Sequence, residues 1–158
     1  AGGRIARRPL DEVISELADA GLRDRYKARM MALGISPGLF GLPMVTAAYS
    51  PEGAEWVDAL RVYVSKNARI FDDALARIPG AKSMKLQSTY LAWVDFSGMG
   101  LSAEDLHRRV EGQARIAANH GESFGLGGEC WMRFNLATPS ARIHEAVARL
   151  RDAFKDLQ

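Results

Sequence analysis

The chain has 158 residues, 47% of them hydrophobic, and a formal net charge of +2. That is enough apolar material for one domain with its own core, and the basic residues do not gather into a stripe with interleaved aromatics, which excludes the usual nucleic-acid footprint. The single cysteine, Cys130, excludes an intrachain disulfide, no apolar run approaches the roughly 20 residues of a membrane span, and no signal-peptide core is present, so a soluble, cytoplasmic protein is expected.

Ala1–Arg8 carries the basic cluster Arg4, Arg7 and Arg8 and is expected to be a solvated, disordered end. Pro9 suits a first helical position, and Leu10, Val13, Ile14, Leu17 and Ala18 continue at helical spacing until Gly21. A second helical stretch sets Leu22, Tyr26, Met30 and Leu33 on one side and ends at Gly34. Ser36-Pro37 reads as a helix cap followed by proline. The segment behind it, with Leu39, Phe40, Leu42, Met44 and Val45, is apolar nearly all round, and Pro43 should kink it or start it afresh. Ser50-Pro51 repeats the cap signal before a long helix with Trp56, Leu60, Tyr63, Val64, Asn67, Ile70, Phe71, Ala74 and Leu75 on one face. Pro79-Gly80 ends it.

From there the pattern changes. Lys82 to Leu86 reads as a short strand and Tyr90 to Phe96 as a stronger one. Ser102 and Asp105 resemble a capping box for a helix that turns Leu106, Val110 and Ala114 inward. Arg115 to Ala118 reads as a brief strand. A glycine-rich loop, Gly121 to Gly128, then leads into a strand over 131–137. In it Met132, Phe134 and Leu136 alternate with Trp131, Arg133 and Asn135. Thr138 is expected to cap a last helix begun by Pro139 and carrying Ile143, Val147, Leu150 and Phe154. This order predicts an α+β fold: a small, mainly antiparallel sheet covered by helices on one side.

Arg133 is the strongest candidate for function. A strand-borne guanidinium can meet a carboxylate through two parallel hydrogen bonds, with Asn135 facing the same way and Tyr90 a minor substrate-binding candidate. The alternative is an arginine paired with a surface acid such as Glu122 or Glu129. The loop before Arg133 could act as a phosphate nest, although phosphate loops lead into helices and this one leads into a strand. His107, His120, His144 and Cys130 show no metal-ligand spacing, so no metal site is expected, and Cys130 is read as structural rather than as a nucleophile. Ser65-Lys66 falls on the polar side of the long helix, where a solvated lysine is expected.

Three stretches resemble a known family: Thr-Tyr-Leu-Ala-Trp-Val-Asp at 89–95, Asp-Leu-His-Arg-Arg at 105–109, and the run from Gly121 to Pro139 with its Arg-Phe-Asn. They are similar to the C-terminal (small) domain of class I/II aminotransferase-like enzymes, in particular the cystathionine β-lyase-like (C–S lyase) branch. The Leu-Gly-Ile-Ser-Pro stretch at 33–37, with Gly41 and Ala47-Ala48-Tyr49, fits the same branch. The resemblance runs from about Leu22 onward, which divides the chain into an N-terminal extension, 1–20, and a small domain, 21–158. It implies a fold-type-I pyridoxal 5'-phosphate enzyme, normally a homo-oligomer, in which Arg133 binds the α-carboxylate of an amino-acid substrate. It also implies that Ser36 lies near the cofactor phosphate across the dimer.

The family's Schiff-base lysine lies upstream of the helix beginning near Leu22, whereas the first lysine here, Lys27, is already inside that helix. The chain alone is therefore expected to lack the large cofactor-binding domain and to be inactive, with its apolar segment at Leu39–Val45 driving self-association. The competing expectation is a non-catalytic, free-standing binding or assembly module that keeps the small-domain fold.

Overall fold

The computed structural model describes residues 19–36 and 38–157. The expected disordered end, the helix begun by Pro9, and Pro37 lie outside the described residues. Contacts divide the chain into two units, Ala1–Asp58 and Ala59–Gln158.

In the first unit, helix α1 (Ala20–Ala32) starts where the Asp19 carboxylate accepts the Leu22 amide at 2.9 Å, an N-cap that satisfies one of the open donors of the first turn. It ends as expected: Gly34 takes φ +61°, and the amides of Gly34 and Ile35 return to the carbonyls of Met31 and Met30, a left-handed stop suited to glycine. Helix α2 (Gly41–Ala48) begins later than Ser36-Pro37 suggested. Ser36 lies in exposed coil, and a turn at Leu39-Phe40 intervenes. Pro43 instead sits in the first turn of α2, where a missing amide proton costs nothing. Leu42, Met44 and Val45 are all more than half exposed. Helix α3 (Pro51–Leu75) opens on the expected signal, with the Ser50 hydroxyl accepting the Gly53 amide at 3.0 Å.

The second unit holds the core. Strands β1 (Lys82–Ser83), β2 (Leu91–Asp95), β3 (Asn119–His120) and β4 (Trp131–Asn135) form one antiparallel sheet in the order β1-β2-β4-β3. Alternation gives the central strands two different faces. Ala92, Val94, Met132 and Phe134 point to the buried side, where they cluster with Phe71 and Leu75 of α3, with Leu106 of α4 (Ala103–His107), and with Ile143 and Leu150 of α5 (Ser140–Ala153). The other face carries Trp93, Trp131 and Arg133. The α+β reading with helices on one side of an antiparallel sheet is borne out.

Two local expectations change. The Ser102–Asp105 capping box forms, the Ser102 hydroxyl accepting the Asp105 amide at 3.1 Å, but α4 runs on as a π-helical segment over Arg108–Gln113. The Ile116 amide is used by the Val110 carbonyl and Arg115 takes φ +54°, so 115–118 cannot offer a strand ladder, and the brief strand falls at Asn119–His120. At the other end, Thr138 does not cap α5. The Ser140 amide donates to the hydroxyl of Tyr63 on α3 at 2.8 Å, and the helix has no side-chain cap from its own flank. This bond from Ser140 holds the Tyr63 hydroxyl below its usual range.

Next to Tyr63 on α3, Asn67 is fully buried. Its Nδ2 donates to the carbonyls of Leu136 (2.9 Å) and Thr138 (2.8 Å), and its Oδ1 accepts from the Ser140 hydroxyl at 2.7 Å. Asn67→Ala removes all three at once and leaves buried acceptors unmet. Urea unfolding should show a loss of about 2–4 kcal/mol.

A second tie closes the C-terminus. The Arg109 guanidinium grips Asp156 with two bonds of 2.6 and 2.7 Å and reaches the Ala153 carbonyl at 2.6 Å. The Arg109 bond holds the Asp156 carboxyl below its usual value. A depressed folded-state value means the stabilisation is fully present above the unfolded value of about 3.9 and is lost as pH falls through the folded value. Asp156→Asn should lower the thermal midpoint at neutral pH and flatten its decline in acid.

Candidate functional site

The solvent-side face of the sheet is where Arg133 lies. In the ladder it is opposite Trp93 of β2 on one side and Asn119 of β3 on the other. Its Nη2 donates to Asn119 Oδ1 at 3.1 Å, and the Phe124 ring covers the guanidinium, 4.5 Å from its carbon to the ring centroid, a cation–π placement. Phe124 meets Trp93 edge-on at 5.0 Å, and Trp93 meets Trp131 at 6.5 Å. An aromatic bracket thus fixes the cation and shields it from water, which strengthens its attraction to an anion.

The expected alternative partners are not engaged. No ion pair joins Arg133 to Glu122 or Glu129, and among the described residues no carboxylate reaches it. Glu122 is turned instead toward His107 Nε2 (3.7 Å) and His120 Nδ1 (3.8 Å). Arg133 Nε is buried without a hydrogen-bond partner. The guanidinium thus has one donor used and one face covered, and its other Nη donors meet no acceptor among the described residues.

A depression of about 340 Å³ opens beside this bracket, lined by Met84, Trp93, Phe124, Leu126, Trp131 and the glycine loop. The loop shows why it needs its glycines. Gly121 and Gly128 lie backbone against backbone, and a Cβ on Gly128 would overlap the Gly121 carbonyl group. That contact pinches the base of the loop, and Gly127, next to that base, takes φ +85°. Trp131 N–H then donates to the Gly128 carbonyl at 3.0 Å as β4 begins.

The other expected site residues are placed as follows. Asn135 shares the face of Arg133, and its Oδ1 accepts the Ala137 amide at 2.9 Å, closing the end of β4. Tyr90 stands just before β2 and is 45% exposed, at the parity of Ala92 rather than of Trp93. Ser36 lies in the first unit, exposed between α1 and α2. Lys66 is exposed on α3, as expected. Cys130 is partly buried, and its thiol points to the Leu101 carbonyl at 3.8 Å rather than to a histidine.

Three features escaped sequence reasoning. Phe124 and Asn119 reach Arg133 from 9 and 14 residues earlier in the chain, Asn119 through the sheet register and Phe124 from the 3₁₀ turn that follows β3. His107 and His120 stack ring on ring at 3.6 Å with Glu122 beside them, brought together by the turn after α4 and by β3. The recurring aromatics around Arg133 were the one available signal, and they also suited a core.

No protein-family model matches the chain. Among curated proteins, it is 33% identical over 134 residues to cystathionine beta-lyase PatB of Bacillus subtilis, covering 83% of this chain and 34% of that protein. It is 32% identical over 142 residues to protein MalY of Escherichia coli, covering 88% and 36%. Among solved structures it is similar to cystalysin from Treponema denticola, which contains a pyridoxal 5'-phosphate cofactor, with TM-score 0.77 and 31% identity over 89% of this chain and 36% of that one. A PLP-bound aminotransferase from Clostridium difficile gives TM-score 0.74 and 32% identity over 85% and 34%. The chain thus spans about a third of the length of these relatives.

Gly128→Ala should force the pinched loop apart. The expected outcome is a loss of roughly 1–3 kcal/mol in urea unfolding with a shifted tryptophan emission from Trp131.

Proposed function

The chain belongs to the aminotransferase and C–S lyase family of fold-type-I pyridoxal-phosphate enzymes, and we propose that it supplies such an enzyme with its grip on the α-carboxylate of an amino-acid substrate. The observation that carries this reading is Arg133: a partly shielded guanidinium, positioned by Asn119 and Phe124, with no carboxylate of the described residues against it.

Pyridoxal phosphate, when bound, supplies an electron sink for the substrate's α-carbon. The groups of this chain do something different. Arg133 offers its remaining N–H donors to one carboxylate and sets the direction of the Cα–carboxylate bond. The aromatic bracket excludes water from one face of that ion pair and raises its strength. Asn119 holds the guanidinium plane, so little side-chain freedom is lost when the ligand arrives. Transamination and β-elimination both need the carboxylate held, so the same role serves either reaction.

Covalent attachment of the cofactor finds no fit here. All five lysines, Lys27, Lys66, Lys82, Lys85 and Lys155, are exposed, and an amine tuned for carbonyl chemistry is normally enclosed. We therefore assign attachment and the grip on the cofactor ring to the large domain of the enzyme. Ser36, exposed beside α2, is proposed to lie near the cofactor phosphate of a second subunit, and the exposed apolar residues of α2 support burial in a homo-oligomer.

In a pyridoxal-phosphate enzyme containing this chain, Arg133→Lys should raise KM for the amino acid at least tenfold, equivalent to about 1.4 kcal/mol, because the two-pronged contact is lost. Cofactor absorbance should stay unchanged. An unaltered KM would contradict the assignment.

A further inference from the structure

We propose that His107, His120 and Glu122 form a binding site for a zinc-class divalent cation. The three residues come from two pieces of backbone: His107 is the last residue of α4, while His120 ends β3 and Glu122 lies in the 3₁₀ turn Gly121–Phe124 that follows it directly. One ligand atom from each lies within 4.8 Å of the others. Two imidazoles and one carboxylate are a donor set suited to zinc, nickel or cobalt rather than to magnesium or calcium.

The unused nitrogens point to the same conclusion. His107 Nε2 is buried with no hydrogen-bond partner, yet it lies 3.7 Å from Glu122 Oε1. His120 Nδ1 lies 3.8 Å from the same oxygen. These separations exceed by a few tenths of an ångström the roughly 3.4 Å between neighbouring ligands on a tetrahedral ion with bonds of about 2.0–2.1 Å. Closing them is a small movement, made mainly by the exposed Glu122 carboxylate.

The outer shell is also present. His120 Nε2 bonds to Glu111 Oε1 at 2.8 Å, which places the proton on Nε2 and leaves the Nδ1 lone pair directed at Glu122. A carboxylate holding the far side of a histidine is the arrangement that orients imidazole ligands on metals and raises their basicity. Glu111 comes from the π-helical segment, whose extra residue per turn alters where its side chains project. The two rings stack nearly parallel, at 12°. Ligation turns them about a soft terminal torsion until both planes meet the ion. His107, His120 and Glu122 are 17%, 34% and 42% exposed at their side chains, so an ion can enter from solvent. Three protein ligands leave a fourth position for water. Because Glu122 is two residues from Phe124, the ion would anchor the turn that covers Arg133.

The test uses the purified chain, stripped with a chelator and titrated with Co²⁺ alone as a spectroscopic probe, followed by Zn²⁺ in competition. The proposal expects one equivalent of cobalt with visible ligand-field absorption, displaced by one equivalent of zinc. His120→Ala should weaken binding roughly a hundredfold and Glu122→Gln at least about tenfold. Glu111→Gln, which touches no ion, should weaken it by about tenfold. His144→Ala should leave it unchanged. Glu122 and Glu111 are surface residues, so their variants keep the fold, as far-UV circular dichroism will verify. Absence of a one-to-one cobalt complex, or equal affinity in a His120→Ala/Glu122→Gln double variant, would overturn the proposal.

Discussion

The interaction on which the second unit depends is the set of three hydrogen bonds made by Asn67. A polar side chain with no solvent contact is tolerated only when its donors and acceptors are met, and here both amide hydrogens and the oxygen are used. The bonds reach the end of β4 and the first residue of α5, more than sixty residues away in sequence. Tyr63, one helical turn earlier, accepts the Ser140 amide. Together they let α3 set where β4 stops and where α5 begins, with no contribution from the intervening Thr138 side chain.

At its other end, β4 is set by glycine. The close contact between Gly121 and Gly128 fixes the base of the loop, and the loop delivers Phe124 over Arg133. The strand is thus held at both ends by contacts that do not involve Arg133. Its inner face, Met132 and Phe134, is locked in the core. Arg133 has little freedom to move, which is what an arginine needs if it is to recognise a planar carboxylate without losing much entropy on binding.

Much of this was legible in the sequence, for identifiable reasons. The alternation through Met132, Arg133 and Phe134 gave the strand and its two faces. The Ser50 and Ser102 caps worked because their partners are local. Arg133 stood out because a lone cation on an alternating strand is unusual. What stayed hidden was set by distant groups. The start of α5 depends on Tyr63, and Asn67 read only as one more residue on the apolar face of a helix. Asn119 meets Arg133 through antiparallel register, and Phe124 meets it through the fold of the glycine loop. The histidine pair follows from a π-helical segment and the positive φ at Arg115, neither of which has a periodic signature. The late start of α2 reflects a turn at Leu39-Phe40, where an apolar run read more naturally as helix.

The proposed role of Arg133 is to take a carboxylate from outside the chain. The most direct test follows the Arg133 side-chain N–H resonance by nitrogen–proton NMR. An α-amino acid is titrated, and then the matching amine that lacks the carboxylate. A saturable shift with the acid and none with the amine is the predicted result; no response to either, or the same response to both, would contradict it.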